Sequence, residues 1–299
     1  MARPSGKINV RLFPRSYPYL LTLPALIILG TLAFFPIVNA FWISLHQDTG
    51  LGKRRFIGLQ NYGDLLGNPE AMGSLEFTLI FVLVSVPAEI LIGLMIALVT
   101  HHGFRGRGWV RAAVLIPWAI PTVVTSWLWL YIFDGDRGIL NFFLFGASTE
   151  QYITFLRHTD WARSAIIIAD VWKTAPFTAL LILAGLQTIP NELHEAARVD
   201  GAGPVTRFFR ITLPLLRPAI LLALLFRSMD AFRVFDLVYV MTRARSDTSV
   251  LQYLGYQRLI VETNYGMGSA VSVVVFALIA AASVFYVRMI RTRLLEDGT

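Results

Sequence analysis

The chain lacks cysteine, is poor in charge, and has no polar stretch long enough to form a soluble domain. Each shortage removes a class of protein. Without cysteine there is no disulfide framework, no thiolate metal centre and no cysteine nucleophile, and redox chemistry leaves no mark of compartment. Charged residues make up only 15% of the 299 positions while 56% are hydrophobic, whereas a soluble domain carries charge at about a quarter of its positions. No GxxxxGK[ST] loop is present, so the chain has no phosphate cradle of that kind for ATP. His194-Glu195 opens a zinc-protease pattern, but Arg198 stands where the second histidine belongs, and that motif is absent. The net charge of +7 is spread through short segments rather than gathered on one face, which argues against nucleic acid as a partner.

What remains is apolar runs. A bilayer core takes about 20 apolar residues per helix, and six segments qualify: 19–45, 75–100, 109–133, 165–186, 219–241 and 268–290. The sequence therefore predicts an all-α polytopic membrane protein with six transmembrane helices. It divides into a basic tail over 1–18, a transmembrane domain over 19–290 and a short tail over 291–299. The first apolar run is too long for a signal-peptide core and reads as a retained span.

With both termini inside, the inner segments collect 14 basic residues: Arg3, Lys7, Arg11, Arg15, Arg105, Arg107, Arg111, Arg198, Arg207, Arg210, Arg217, Arg288, Arg291 and Arg293. The outer loops collect 9, namely Lys53, Arg54, Arg55, Arg137, Arg157, Arg163, Arg243, Arg245 and Arg258. The positive-inside rule then puts both termini in the cytoplasm. Trp42, Trp109, Trp127, Trp129, Tyr131 and Trp161 fall near the expected interfaces, as anchoring rings do. Pro24, Pro36, Pro87, Pro117, Pro121 and Pro176 interrupt spans, and such breaks persist in lipid only where neighbouring helices or a wet cavity satisfy the freed carbonyls. In the outer loop, DGDRG echoes a calcium loop but lacks its remaining ligands, so a turn is expected.

One polar segment, 188–217, separates the fourth and fifth spans. Pro190 near a helix start, good helix formers over 191–199 and a stop at Gly201 predict a first short helix. Pro204 opens a second, which Leu213-Pro214 is expected to end, making an elbow hinged at 201–203. Glu192 and Glu195 near the first start and Arg207 and Arg210 near the second end suit the helix dipoles.

Ionisable residues within spans cost about 2.5–3.5 kcal/mol each on insertion scales and so point to function. Glu89, Asp170, Lys173, Arg227, Asp230, Arg233 and Asp236 are such residues, and depth counting brings Glu89, Lys173 and Asp230 close to the midplane. At about 100° per residue, Arg227 and Asp236 end on opposite faces of an unbroken helix. Either some of these charges pair with other helices, or the helix unwinds in its outer half. Four acids against three bases allow mutual pairing. They also allow a polar pathway in which Asp230, Arg233 and Lys173 hydrogen-bond a polyol while Trp172, Phe232, Phe235 and Tyr239 offer rings. The pathway candidates are Glu89, Trp172, Lys173, Asp230, Arg233, Phe235 and Tyr239. An ion-coupled secondary transporter using Glu89, Asp170 or Asp230 as a proton relay is the alternative, and an intramembrane enzyme is disfavoured because no paired catalytic set or metal cluster is visible.

Glu195-Ala196-Ala197, Gly201, Ile211, Leu213 and Pro214 match the spacing EAA-x3-G-x9-I-x-LP. This segment resembles the cytoplasmic loop of permease subunits of binding-protein-dependent ABC importers. Residues 112–117, 170–177 and 232–242 resemble the carbohydrate-importer branch, trehalose and maltose permeases most of all. The resemblance implies a type I importer permease fold in a prokaryotic plasma membrane. It also implies an elbow, with Glu195, Ala196, Ala197, Asp200, Gly201, Ile211, Leu213 and Pro214, that docks on an ATPase. The implied partners are a second permease subunit, two ATPase subunits or domains that hold ATP and Mg, an extracytoplasmic sugar-binding protein, and membrane lipid. No cofactor is expected on this chain. One departure stands out: where that branch has a glycine-rich GGP segment, this chain has Arg243-Ala244-Arg245-Ser246-Asp247, which leaves the sugar open.

Overall fold

The computed structural model describes residues 17–50, 52, 54–101 and 103–296. The expected tail at 1–18 lies largely outside these residues, as does Lys53, with helix already covering 17–18; of the tail expected at 291–299, helix runs on to Glu296 and only 297–299 lie outside. Among the described residues are five long apolar helices, beginning with α1 (Leu21–Ser44) and, after a hairpin of the two-residue strands β1 (His46–Gln47) and β2 (Arg55–Phe56) and a short α2 (Gln60–Gly67), α3 (Pro69–His101). Next come α4 (Arg107–Ala119) and α5 (Thr122–Ile132), which meet at an 89° bend, so the third predicted span is a broken one. The loop after α5 holds α6 (Ile139–Phe145), and α7 (Thr159–Gln187) is the next apolar helix long enough to span. Beyond α8 (Asn191–Val199) lie α9 (Pro204–Ala231), α10 (Asp236–Thr242), α11 (Leu251–Tyr256) and α12, which starts at Tyr265 and spans to Ile290. The all-α reading holds apart from the small hairpin, and six crossings result if the bent α4–α5 pair counts as one.

The bundle is organised around α3 and α7, packed along their length. Close approach comes from small residues: a Cβ on Gly93 would meet Thr178 Cγ2 at 2.8 Å, and Gly185 lies directly against the Ala219 Cβ of α9. With no hydrophobic driving force between helices in lipid, such contacts provide the van der Waals adhesion. Phe77, Phe81, Ile166, Leu237 and Val238 fill the half of the core away from α8, and Ala97, Ile182, Leu186 and Leu216 fill the half next to it. By contrast, the membrane stretch of α1 has none of its residues buried.

The DGDRG segment is a turn: Asp134 Oδ1 accepts hydrogen bonds from the backbone of Asp136 and Arg137. Past α10, Arg243 and Ala244 adopt φ of +52° and +47°, the left-handed region that favours glycine. The loop thus adopts, without glycine, a backbone that glycine favours. A clamp offsets the strain. Arg245 donates to Asp247 through Nε at 3.0 Å and Nη2 at 2.9 Å and to the Leu156 carbonyl at 2.8 Å, while Thr159 donates to Asp247 Oδ2 at 2.6 Å. The Asp247 backbone carbonyl accepts from Arg163 at 2.8 Å, tying the loop to α7.

Burial alone would raise the Asp247 carboxyl, but hydrogen bonds from Arg245 and Thr159 outweigh it and hold the group below its ordinary range. A carboxylate depressed in the folded chain contributes stability above its unfolded value, about 4, and that contribution is lost as pH falls through the folded value. Thermal unfolding of the purified chain should therefore become easier on acidification below about pH 4, and Asp247→Asn should flatten part of that decline. An unaltered pH slope in the variant would contradict the clamp.

Candidate translocation and coupling sites

The elbow begins with α8, whose end follows from Gly201. At φ +80° Gly201 turns the chain so that its own N–H reaches the Arg198 carbonyl at 3.1 Å and the Ala202 N–H reaches the Ala197 carbonyl at 2.8 Å. This paired closure satisfies two orphan carbonyls at the helix end, and the left-handed backbone it needs favours glycine. Glu195, Ala196, Asp200 and Gly201 are exposed and Ala197 is half-buried, so this side of the elbow is open.

The second half differs from expectation. Leu213-Pro214 does not end a short helix; from Pro204 to Ala231 the chain is one continuous rod. Pro214 has no N–H to donate and its ring crowds the carbonyl four residues back, and the wider π-type turn at Phe208–Thr212 just before it absorbs both defects. Ile211, Leu213 and Pro214 are accordingly half-buried at the joint between elbow and bundle rather than on its open face. Arg207 and Arg210 lie inside this rod, so the expected dipole pairing at a second helix end does not occur. Between elbow and bundle lies a cavity of about 470 Å³ lined by His101, His194, Arg198, Arg207 and Phe208 among others.

The rod ends at membrane depth, where the sequence has no glycine or proline to stop it. Charge explains the stop. Arg227, only 2% exposed, donates from Nη2 to Glu89 Oε1 at 2.9 Å and Asp170 Oδ2 at 3.1 Å, from Nε to Glu89 Oε2, and from Nη1 to Asp230 Oδ2 at 2.5 Å. Bidentate pairing of a guanidinium with a carboxylate offsets desolvation where a single contact would not. After Ala231 the chain turns tightly, with Arg233 N–H on the Asp230 carbonyl at 3.0 Å, and α10 restarts at Asp236. Both resolutions of the face conflict therefore occur: Arg227 pairs with α3 and α7, and the helix unwinds over 232–235.

The break opens a polar cavity of about 150 Å³ whose walls include Thr122, Asp170, Lys173, Asp230, Arg233, Phe235 and Asp236. Lys173 also has a structural task. Its Nζ donates to the carbonyls of Ile120 at 2.7 Å and Trp118 at 3.3 Å, which the bend at Pro121 leaves without helical partners. Two sequence-selected pathway residues lie elsewhere. Glu89 is fully buried behind the cavity wall, in the grip of Arg227. Trp172 faces an apolar groove of about 540 Å³ with Val171, Pro176 and Trp129, the last at 5.7 Å edge to face. Trp129 is thus packed, while Trp42, Trp109, Trp127, Tyr131 and Trp161 are exposed as anchors would be. Phe235 and Tyr239 stack at 5.6 Å. Sequence reasoning missed Tyr253 and Tyr256, which join these rings from α11; no charge or motif marks them. Among the described residues no group of histidine, cysteine and acids is placed to hold a metal ion.

A bundle of long apolar helices, broken at a polar cavity and carrying an exposed elbow, is the architecture of a transport permease. The chain belongs to the family of binding-protein-dependent transport system inner membrane components, whose sequence profile matches residues 89–297. It is 41% identical over 281 residues to the trehalose/maltose transport system permease protein MalF of Thermococcus litoralis, covering 92% of this chain and 94% of that protein. To the trehalose transport system permease protein SugA of Mycobacterium tuberculosis it is 39% identical over 288 residues, with 95% and 92% covered. The crystal structure of a bacterial ABC transporter importing the acidic polysaccharide alginate contains a chain of the same fold, with a TM-score of 0.78, 23% identity and 93% and 96% coverage. The ion-coupled alternative finds no support among these relatives.

Arg227→Met would leave Glu89 and Asp170 buried without a counter-charge, at a cost of about 3–5 kcal/mol. Asp230, 63% exposed, contributes as a surface ion pair does, so Asp230→Asn should cost about 1 kcal/mol or less. Unfolding midpoints of the two variants in detergent check that order; equal losses would contradict it.

Proposed function

We propose that this chain is the membrane-spanning subunit of an ATP-driven importer that carries a sugar, a disaccharide such as trehalose or maltose or a related glycoside, into a prokaryotic cytoplasm. The observation that carries this reading is the polar cavity at the break between α9 and α10, offering donors and acceptors next to rings at the depth where a solute must cross. Its composition suits a neutral polyol: Asp170, Asp230 and Asp236 face Lys173, Arg227 and Arg233. At about 150 Å³ it is smaller than the ~300 Å³ at which ligand pockets begin. A second permease subunit would supply the other half, and the uncovered apolar surface of α1 supports such a neighbour.

In this reading ATP and Mg sit on two separate ATPase subunits or domains, and an extracytoplasmic binding protein delivers the sugar. Both termini are cytoplasmic, and the elbow faces that side. The ATPase meets Glu195, Ala196, Asp200 and Gly201 on the open face, with Ala197 at its edge. Ile211, Leu213 and Pro214 pass the motion to α9. Closure of the ATPases moves the rod, and the cavity exchanges access between the two sides, a population shift that requires the ATP-bound partners to favour one state.

Two measurements test this. In the reconstituted complex, trehalose or maltose with its binding protein should stimulate ATP hydrolysis; gradient-driven uptake without any ATPase would overturn the reading. A Cβ on Gly201 meets nothing within 4 Å but φ there is +80°, so Gly201→Asp should leave the bundle to insert in the membrane, strain the turn that ends α8 and lose ATPase binding or coupling. Normal sugar-stimulated hydrolysis in that variant would remove the docking role.

A further inference from the structure

The cavity between elbow and bundle, about 470 Å³, lies within the ~300–1,000 Å³ of small-molecule sites, and no step of the proposed transport passes through it. Its walls differ in chemistry. Leu98, Leu186 and Phe208 make one side apolar, His101, His194, Arg198 and Arg207 make the other basic, and no acidic side chain lines it. The basic residues come from three elements: His101 ends α3, His194 and Arg198 lie one turn apart on α8, and Arg207 lies in the first turn of α9.

A buried guanidinium is ordinarily answered by an acid, as Arg227 is. Here no ion pair among the described residues includes Arg198 or Arg207. Arg198 gives its Nε to the His194 carbonyl of its own helix at 3.4 Å. Arg207 Nε is shut off from solvent and has no hydrogen-bond partner among the described residues. A buried N–H without an acceptor is costly, and two guanidinium groups on one cavity repel each other. An anion entering the cavity removes both costs.

The open face of the elbow points away from this space. At about 100° per residue, Asn191, His194 and Arg198 fall within an arc of about 60° on α8, and Ala196 lies on the opposite side. A partner seated on Ala196 and on Val199, which is 88% exposed, leaves the cavity behind it. Among anions, phosphate suits the basic wall: two guanidinium forks match its oxygens, and imidazole N–H groups add donors. We propose that this cavity binds an organic phosphate, with the phosphate on Arg198 and Arg207 beside the two histidines and the carbon body on Leu98, Leu186 and Phe208. Occupancy ties the elbow to α3 and α7. The phosphate belongs either to a soluble phosphorylated metabolite or to the headgroup of an anionic lipid.

The test titrates the full chain, in phosphatidylcholine nanodiscs, with glucose 6-phosphate by calorimetry, with glucose as the neutral control. Glucose 6-phosphate should bind saturably, and Arg198→Gln and Arg207→Gln should each weaken it about tenfold. Arg207→Lys should recover part of the loss. Any binding of glucose should be indifferent to these substitutions, which keeps the result independent of the sugar reading. Replacing about a third of the lipid with phosphatidylglycerol separates the two sources. Unchanged glucose 6-phosphate affinity assigns the site to a soluble phosphate. Loss of that binding, with phosphatidylglycerol retained by the wild type and shed by the arginine variants in native mass spectrometry, assigns it to a headgroup. The site is overturned if glucose 6-phosphate does not bind and phosphatidylglycerol is not retained over phosphatidylcholine. It is equally overturned if the arginine variants bind as the wild type does. Absence of phosphate binding together with loss of ATPase co-purification in the variants would give the cavity to that partner instead. Arg198 is exposed on the elbow, so Arg198→Gln keeps the test decisive even where Arg207→Gln lowers the unfolding midpoint.

Discussion

Everything in this bundle depends on one guanidinium. Arg227 gathers Glu89 from α3, Asp170 from α7 and Asp230 from its own helix, and thereby fixes the three elements that surround the cavity. In a hydrocarbon solvent none of these charges is tolerable alone. Together they form a knot with two strongly buried acids on one side and an exposed acid on the other. The exposed member, Asp230, lines the cavity, so the knot joins the fold to the cavity. It also explains why α9 stops without glycine or proline: the pairing holds Arg227 inward, and the chain beyond must unwind for Arg233 and Asp236 to reach a wet surface.

A second constraint operates at the bend between α4 and α5. Pro121 cannot continue the helix, and the carbonyls it strands would be costly in lipid. Lys173 meets them from α7. The same side chain therefore closes a backbone defect and lines the cavity, which is an economical way to keep a cation at membrane depth. The loop after α10 shows comparable compensation: the left-handed backbone at Arg243 and Ala244 persists without glycine because Arg245 and Asp247 clamp it to Leu156 and Thr159.

The membrane class, the spans, and the stop of α8 at Gly201 were legible because apolar run length and a left-handed helix end are local properties. The conflict of faces among Arg227, Asp230, Arg233 and Asp236 was legible too, since it follows from helical geometry alone. Other features were not. That Pro214 lies within a rod rather than at a helix end depends on a π-type turn, which leaves no compositional signature. Glu89 and Trp172 were drawn into the pathway by depth and residue type, but which way a midspan side chain points is decided by partners on other helices. Tyr253 and Tyr256 escaped notice for the same reason: they matter through rings 14 to 21 positions away in sequence, on α10 and at the break.

The continuity of α9 has a mechanical consequence. Its 28 residues make a rod of about 42 Å, and the tight contact of Ala219 with Gly185 is where a rigid tilt of that rod would pivot. The arms on either side, 204–219 and 219–231, are about 22 and 18 Å long, close to equal. A rigid tilt about that point carries the two ends in opposite directions by nearly equal distances. Such a tilt would keep about four-fifths of the stroke between the elbow end and the break and would reverse its sign.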